Sequence, residues 1–261
     1  MFDYHMHSHV SFDGHDSGLA MALAAKAAGL KEICFTDHID HDCDANGRSM
    51  VFDLDAYRAE YDNLLIKGLK IRRGVEYGLK PYNKDMLHED LKQRHFDFVL
   101  GSVHFVNEQD IYYKEFWQDK TVEQAVALFL EETLKCVAHH DGYDVLGHLS
   151  YICKARAHPD PKPLYYKDHR EIVDEIMKIL VQKGKGMEIN TSGVDRCGDF
   201  LPTEEFFRRF KELGGEIVTI GSDAHNAERV GQYSGRACQM MKDIFGYVCT
   251  FEDRKPIFHK L

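Results

Sequence analysis

Short apolar runs alternate with longer amphipathic stretches along this chain. Glu32–Phe35, Phe96–Leu100, Val145–Leu146, Met187–Ile189 and Ile217–Ile220 are too short for buried helices and read as strands covered on both faces. Phe2–Met6 and Lys70–Val75 complete a set of seven. Between them, apolar residues recur at helical spacing over Gly18–Ala28, Leu54–Lys67, Leu87–Gln93, Val122–Ala138, Ile172–Lys183, Glu204–Leu213 and Gly231–Asp243. Asp53 and Thr121 are suited to cap two of these helices, and Gly184 and Gly214-Gly215 to close two others. An apolar run, Tyr247–Phe251, follows the last helix.

Strands that alternate with helices predict a parallel sheet. Seven such units favour a closed or nearly closed barrel over an open sheet. The expected fold is therefore α/β, a distorted (β/α)7 TIM-like barrel. No repeat, low-complexity tract or Pro/Gly-rich linker divides the 261 residues, so 1–261 is read as a single domain.

Composition narrows the functional classes. A formal net charge of -10 argues against a nucleic-acid-binding surface. No apolar run reaches the roughly 18 residues of a membrane span. The first strand begins at Phe2, which leaves no room for a signal peptide, and the alanine-rich Leu19–Ala28 carries Lys26 and reads as an amphipathic helix. Seven scattered cysteines without C-x-x-C spacing suit a reducing, cytoplasmic location.

The candidate chemistry lies at the strand ends. His5 and His7, two apart on one strand, point to the same side. Later strands run into Asp37-His38, Glu76, His104, Gly147-His148, Asn190-Thr191-Ser192 and Asp223-Ala224-His225. One strand-end histidine is more often a cap or core residue than a ligand. Such groups after all seven strands converge on one face of a parallel barrel, where active sites are built. Imidazole with carboxylate suits zinc, manganese or iron without distinguishing them, and the absence of thiolates there disfavours a purely structural zinc.

The N-terminal H-x-H, T-D-H at 36–38, G-V-E at 74–76, G-S-V-H at 101–104, G-H at 147–148 and G-S-D-A-H at 221–225 together resemble the polymerase-and-histidinol-phosphatase (PHP) family. Within it, Asp3–Ser8, Lys154-Ala155-Arg156 and Glu188–Gly193 are most similar to the branch that hydrolyses L-histidinol phosphate in histidine biosynthesis. The resemblance implies two or three divalent metal ions. One site would use His5, His7, Glu76 and Asp223; a second Asp13, His38 and His225; a third His104 and His148, with Glu76 bridging. Some relatives carry His at the position of Asp13, and His9 is the alternative ligand there. His9 is otherwise expected to touch phosphate.

Three divalent ions outweigh three carboxylates, so such a pocket would attract a phosphomonoester dianion despite the acidic chain. Attack by a metal-bridging hydroxide is expected, because no Ser or Cys nucleophile elbow appears. Asp223 or His225 would relay a proton to the leaving alkoxide. Arg156, on the loop 150–168, is either a solvated ion pair or, as the resemblance implies, a phosphate ligand. Asn190 and Ser192 are either turn formers or substrate contacts. The segment 105–120, with Tyr112, Tyr113, Phe116 and Trp117, either covers the substrate or seals the barrel rim. The expected partner is a small phosphomonoester, with no nucleic acid and no membrane; the oligomeric state is left open. The rival functions are a PHP phosphoesterase on nucleotides, nucleic acid or another small phosphomonoester, an amidohydrolase-like enzyme cleaving C–N or C–O bonds, and a metal-storage or regulatory protein.

Overall fold

The structure, a computed structural model, describes residues 1–43 and 49–261. Seven parallel strands lie side by side in chain order: Phe2–Asp3, Glu32–Phe35, Lys70–Gly78, Phe98–Ser102, Val145–Leu146, Gly186–Asn190 and Val218–Gly221. Their registers run Asp3 to Ile33, Phe35 to Arg73, Val75 to Val99, Leu100 to Val145, Leu146 to Met187 and Ile189 to Ile220. The two ends of this order meet. Tyr4 N donates to Ile220 O at 2.8 Å, Asp223 N to His5 O at 2.7 Å, and Met6 bridges Ala224 in parallel. The sheet is thus a closed, distorted (β/α)7 barrel in a single domain, as the strand–helix alternation predicts.

Local chemistry explains where the helices start. Thr121 forms a full capping box with Gln124 at the head of Val122–His139, and the Asp53 side chain accepts from Ala56 N at 2.8 Å at the head of Leu54–Tyr61. Leu54–Tyr61 is shorter than the expected Leu54–Lys67. Its buried stripe ends at Tyr57 and Tyr61, and the chain then turns back through a bridge between Ile66 and Leu69, with Gly68 at φ 84°.

Two features escaped the apolar pattern. After a break at Thr36-Asp37, the second barrel strand resumes as His38–Cys43, which pairs parallel with Lys70–Gly78 and antiparallel with Ser49–Val51. Its sequence is polar where His38 and Asp40 turn to the barrel mouth, while Ile39 joins the core. Secondly, Tyr247–Glu252 pairs with Lys255–Lys260 in an antiparallel hairpin, turning at Asp253 and Arg254, both with positive φ. Phe251 and Cys249 pack with Tyr4, Cys34, Phe98 and Val145 inside the barrel, at the end where the strands begin. Buried Tyr4 donates to Glu32 Oε1 at 2.6 Å and accepts from Phe251 N at 3.0 Å, so the phenol at the barrel floor is matched. The hairpin plugs one end and leaves the other to chemistry. No helix among the described residues is long and apolar enough to cross a membrane.

Phe251 is almost fully enclosed. Phe251→Ala is expected to lower the unfolding free energy by about 3–5 kcal/mol, read from the urea midpoint. A loss below about 1 kcal/mol would show that the hairpin stands outside the cooperative core.

Candidate metal centre

Barrel closure places the segments that leave the first and seventh strands against each other, and the site is built on that seam. His5 and His7 continue from the first strand, and Asp223 and His225 from the seventh. Glu76 rises from the third strand beneath them. Its Oε2 lies 3.0 Å from His5 Nε2, 3.4 Å from His7 Nε2 and 3.4 Å from His38 Nδ1, while its Oε1 lies 2.8 Å from His148 Nε2 and 3.3 Å from His104 Nε2. One buried carboxylate thus faces five imidazoles. Asp223 Oδ1 lies 3.6 Å from His5 Nε2 and 3.5 Å from His7 Nε2; Asp13 Oδ2 lies 3.0 Å from His225 Nε2 and 3.6 Å from His38 Nε2. The donors form overlapping groups: His7, Asp13, His38 and His225; His5, Glu76 and His148; His5, His7 and Asp223; and His38, Asp40 and His104.

Several rings are held by their outer nitrogen. His5 Nδ1 is 2.7 Å from Glu188 Oε1, His104 Nδ1 3.0 Å from Asp40 Oδ1, His38 Nδ1 3.1 Å from Asp40 Oδ2, and His225 Nδ1 2.9 Å from Asp223 O. With Nδ1 engaged, His5 and His104 present Nε2 to Glu76, and His38 and His225 present theirs to Asp13, the arrangement by which outer oxygens fix metal-binding imidazoles. Glu188 also accepts from His148 N at 2.8 Å, which ties two neighbouring strand ends. Asp223 holds a left-handed backbone, φ 54°, an uncommon conformation for aspartate that aims its carboxylate across the seam.

The electrostatics are those of a site that holds cations. Burial alone would raise Glu76 and Asp223. The imidazoles around Glu76 instead hold its carboxyl well below the usual range, and Lys154 and His5 do the same for Asp223. Burial, with His225 and His38 beside it, pushes His7 down to about 3, so this ring is neutral and its nitrogens are free to bind. Burial also opposes the charge on His38, but Asp13 and Glu76 outweigh it and lift that ring to about 9. His5 Nε2 and His7 Nε2 lie 3.1 Å apart, both fully buried and facing carboxylate oxygens. Converging lone pairs in a dry pocket are favourable only with a proton or cation among them, and this donor chemistry fits divalent zinc, manganese or iron.

A cavity of about 670 Å³ opens above the cluster, with Tyr112, Tyr151, Lys154, Ser192 and Arg229 in its walls. The structure brings together all nine residues expected as ligands: His5, His7, Asp13, His38, Glu76, His104, His148, Asp223 and His225. It does not bring His9 or Arg156 there. The His9 side chain is 49% exposed and lies 3.3 Å from Glu60, outside the cavity wall, because the chain turns outward after His7. Arg156 is exposed and lines a neighbouring cavity of about 690 Å³; the following loop carries it over the rim, and Arg196 fastens that loop by donating to Arg156 O at 3.0 Å. Ser192 does face the cavity. Asn190 sits behind it, fully buried, its Oδ1 accepting from Ser192 N at 3.0 Å and Ser192 Oγ at 2.6 Å. In 105–120 the two expectations divide: Tyr112 and Tyr113 line the cavity, whereas Phe116 is buried and Trp117 packs on the core.

Lys154, two residues before Arg156, lines the cavity above the cluster. Its Nζ donates to Ser192 Oγ at 2.8 Å and contacts the Asp223 carboxylate. Its signal was in hand, since it opens the Lys154-Ala155-Arg156 motif. Asp40 and Glu188 were also missed. Each lies two residues along a strand from a named site residue, His38 or Asn190, and alternation puts it on the same face.

A barrel whose strand ends gather buried imidazoles and carboxylates under an open cavity defines a metal-binding α/β-barrel protein. A model of the PHP domain matches residues 3–192, and the chain belongs to the PHP family. The histidinol-phosphatase of Lactococcus lactis subsp. lactis (strain IL1403) is 34% identical over 262 residues, covering 97% of this chain and 95% of that protein. A probable histidinol-phosphatase of Clostridium acetobutylicum is 30% identical over 261 residues, covering 99% and 96%. The crystal structure of the Lactococcus lactis histidinol phosphate phosphatase, complexed with zinc, L-histidinol and phosphate, superposes with a TM-score of 0.85 at 30% identity over 98% of each chain.

Asp40 holds two imidazoles at once. Asp40→Ala is therefore expected to weaken metal affinity about 10–100-fold, measured by competition with a chromogenic chelator. Wild-type affinity in this variant would mean that His38 and His104 are oriented by packing alone.

Proposed function

We propose that this chain is a metal-dependent phosphatase that hydrolyses L-histidinol phosphate to L-histidinol and phosphate, a step of histidine biosynthesis. The observation that carries this reading is the convergence of six imidazoles and three carboxylates under a cavity of small-molecule size. Full-length similarity to histidinol-phosphatases supports it. Two or three divalent ions would be held by His5, His7, Glu76 and Asp223, by Asp13, His38 and His225, and by Glu76, His104 and His148. When bound, they supply Lewis-acid charge to phosphoryl oxygens and acidify water.

The chain's own groups do the rest. Lys154 and Arg229 add positive charge to the wall, and Lys154, anchored between Asp223 and Ser192, is placed to orient the phosphate. Of the two groups proposed to pass a proton to the leaving alkoxide, Asp223 is kept ionised by Lys154 and His5. His225, whose Nδ1 faces Asp223 O and whose Nε2 faces Asp13, would pass a proton only where its Nε2 is not taken up by an ion. Buried, free Cys34, Cys136, Cys153, Cys197 and Cys249 agree with a reducing cytoplasm. The net charge of -10 supports a small-molecule substrate over nucleic acid.

Phosphate release from a panel of phosphomonoesters and diesters tests this function. L-Histidinol phosphate is expected to show kcat/KM at least about a hundredfold above p-nitrophenyl phosphate, because unpaired polar groups in the pocket penalise a poor fit. Comparable rates, or preference for DNA ends, would defeat the substrate assignment.

The multinuclear part has its own test. Gently purified protein should carry more than one metal equivalent by elemental analysis. Glu76→Gln should lose at least two if both oxygens of Glu76 serve different ions, and retention of all metal would place the bridge elsewhere.

A further inference from the structure

The cavity above the cluster has one carboxylate for which the proposed reaction has no use. The carboxylates in its wall are Asp13, Glu76, Asp223 and Asp110. The first three belong to groups of converging metal donors, and Asp110 belongs to none. It sits on the short hairpin Phe105–Val106 and Gln109–Asp110, opposite Phe105, and Ile111 N donates to His104 O at 3.1 Å. This pairing fixes Asp110 beside the histidine that follows the fourth barrel strand. Asp110 Oδ1 accepts from Tyr112 N at 2.8 Å. No other side-chain hydrogen bond and no ion pair of Asp110 forms among the described residues, although the carboxyl also borders the second cavity. The turn at Tyr112 therefore accounts for one oxygen, and no bond among the described residues accounts for the other.

We infer that Asp110 binds the ammonium group of the leaving alcohol and so determines specificity for phosphate esters of amino alcohols. This rests on the phosphatase reading above and names the residue that would read its substrate. A phosphate over the donor cluster leaves a short organic chain to extend along the wall toward the hairpin. Tyr112 and Tyr151 line that path, and aromatic faces suit both a cation and an imidazole. A half-buried carboxylate at the edge of a cavity gains most from a counter-charge that arrives with the ligand.

The test uses full-length, metal-loaded enzyme and two pairs of esters. One pair is L-histidinol phosphate and its des-amino counterpart, 3-(imidazol-4-yl)propyl phosphate. The other is 2-aminopropyl phosphate and propyl phosphate. In each pair the reading is the ratio of kcat/KM with and without the amine. Asp110→Asn keeps the side-chain volume and the bond from Tyr112 N. It is expected to lower this ratio about thirtyfold or more, mainly through KM, with metal content equal to wild type. Asp110→Glu should recover part of the preference. A ratio unaltered by Asp110→Asn in both pairs, a uniform fall accompanied by metal loss, or a wild-type enzyme without amine preference in either pair would each overturn the assignment. Failure of the wild type to favour L-histidinol phosphate over the simple esters would defeat the substrate reading instead, and the aminopropyl pair would still decide the role of Asp110.

Discussion

The burial of Glu76 among five imidazoles is the constraint on which the rest of this structure turns. An isolated carboxylate at 1% exposure would give up its charge to avoid desolvation. Here the surrounding nitrogens hold it ionised, at 2.8–3.4 Å from its two oxygens. Those nitrogens come from the ends of the first, fourth and fifth strands and from the resumed second strand. No local stretch of chain could assemble them. They meet because the sheet closes, so the site and the closure are one problem for the fold.

Closure itself depends on few contacts. The first strand is regular only over Phe2–Asp3, after which the backbone of Tyr4–His7 bonds alternately to the second-strand extension and to the seventh-strand exit. Thr36 N reaches Met6 O at 2.9 Å and His7 N reaches Ala224 O at 2.8 Å. Asp3 adds a side-chain clasp, accepting from Ser222 N at 2.8 Å and Gly231 N at 2.9 Å. The same backbone that completes the barrel thus sets the positions of His5 and His7. At the opposite end Phe251 and Tyr4 fill the interior, so packing is concentrated where chemistry is not.

Much of this was legible because the strands are apolar and the groups at their ends are not. A change from buried aliphatics to His, Asp or Glu marks the point at which each strand leaves the barrel, and eight of the nine clustered residues were readable from that change; Asp13, on the loop after the first strand, came only from the family resemblance. The polar strand His38–Cys43 was not legible, since His38 and Asp40 face the cluster, His41 and Asp42 are taken up by Asp90 and Lys80, and only Ile39 joins the core. Arg156 is a different case. The resemblance points to a cation on the loop after the fifth strand but does not say which cavity that irregular loop turns it toward, and Lys154, two residues earlier, is the one that lines the cavity above the cluster. His9, expected near phosphate, lies on the turn that leads outward after His7, with its side chain beside Glu60. The plug hairpin was half visible, as an apolar run without its exposed partner strand.

The electrostatic layout reconciles an acidic chain with a site for an anion. Most surface carboxylates are solvated and screened within roughly 10 Å at ordinary ionic strength, so they act weakly on the cavity. Within it, Asp13, Glu76 and Asp223 are matched by imidazoles at close range, and Lys154, paired with Asp223, brings a further positive charge to the wall. Divalent ions in this donor set tip the balance further, and because they bind the folded arrangement and not the dispersed chain, they also stabilise the barrel mouth by mass action. Recognition of the phosphate and cohesion of the seam then draw on the same charges. A change that weakens one weakens the other. Groups that discriminate among leaving alcohols, by contrast, lie on the hairpin beyond His104, outside this shared network, where they can vary without loosening the barrel.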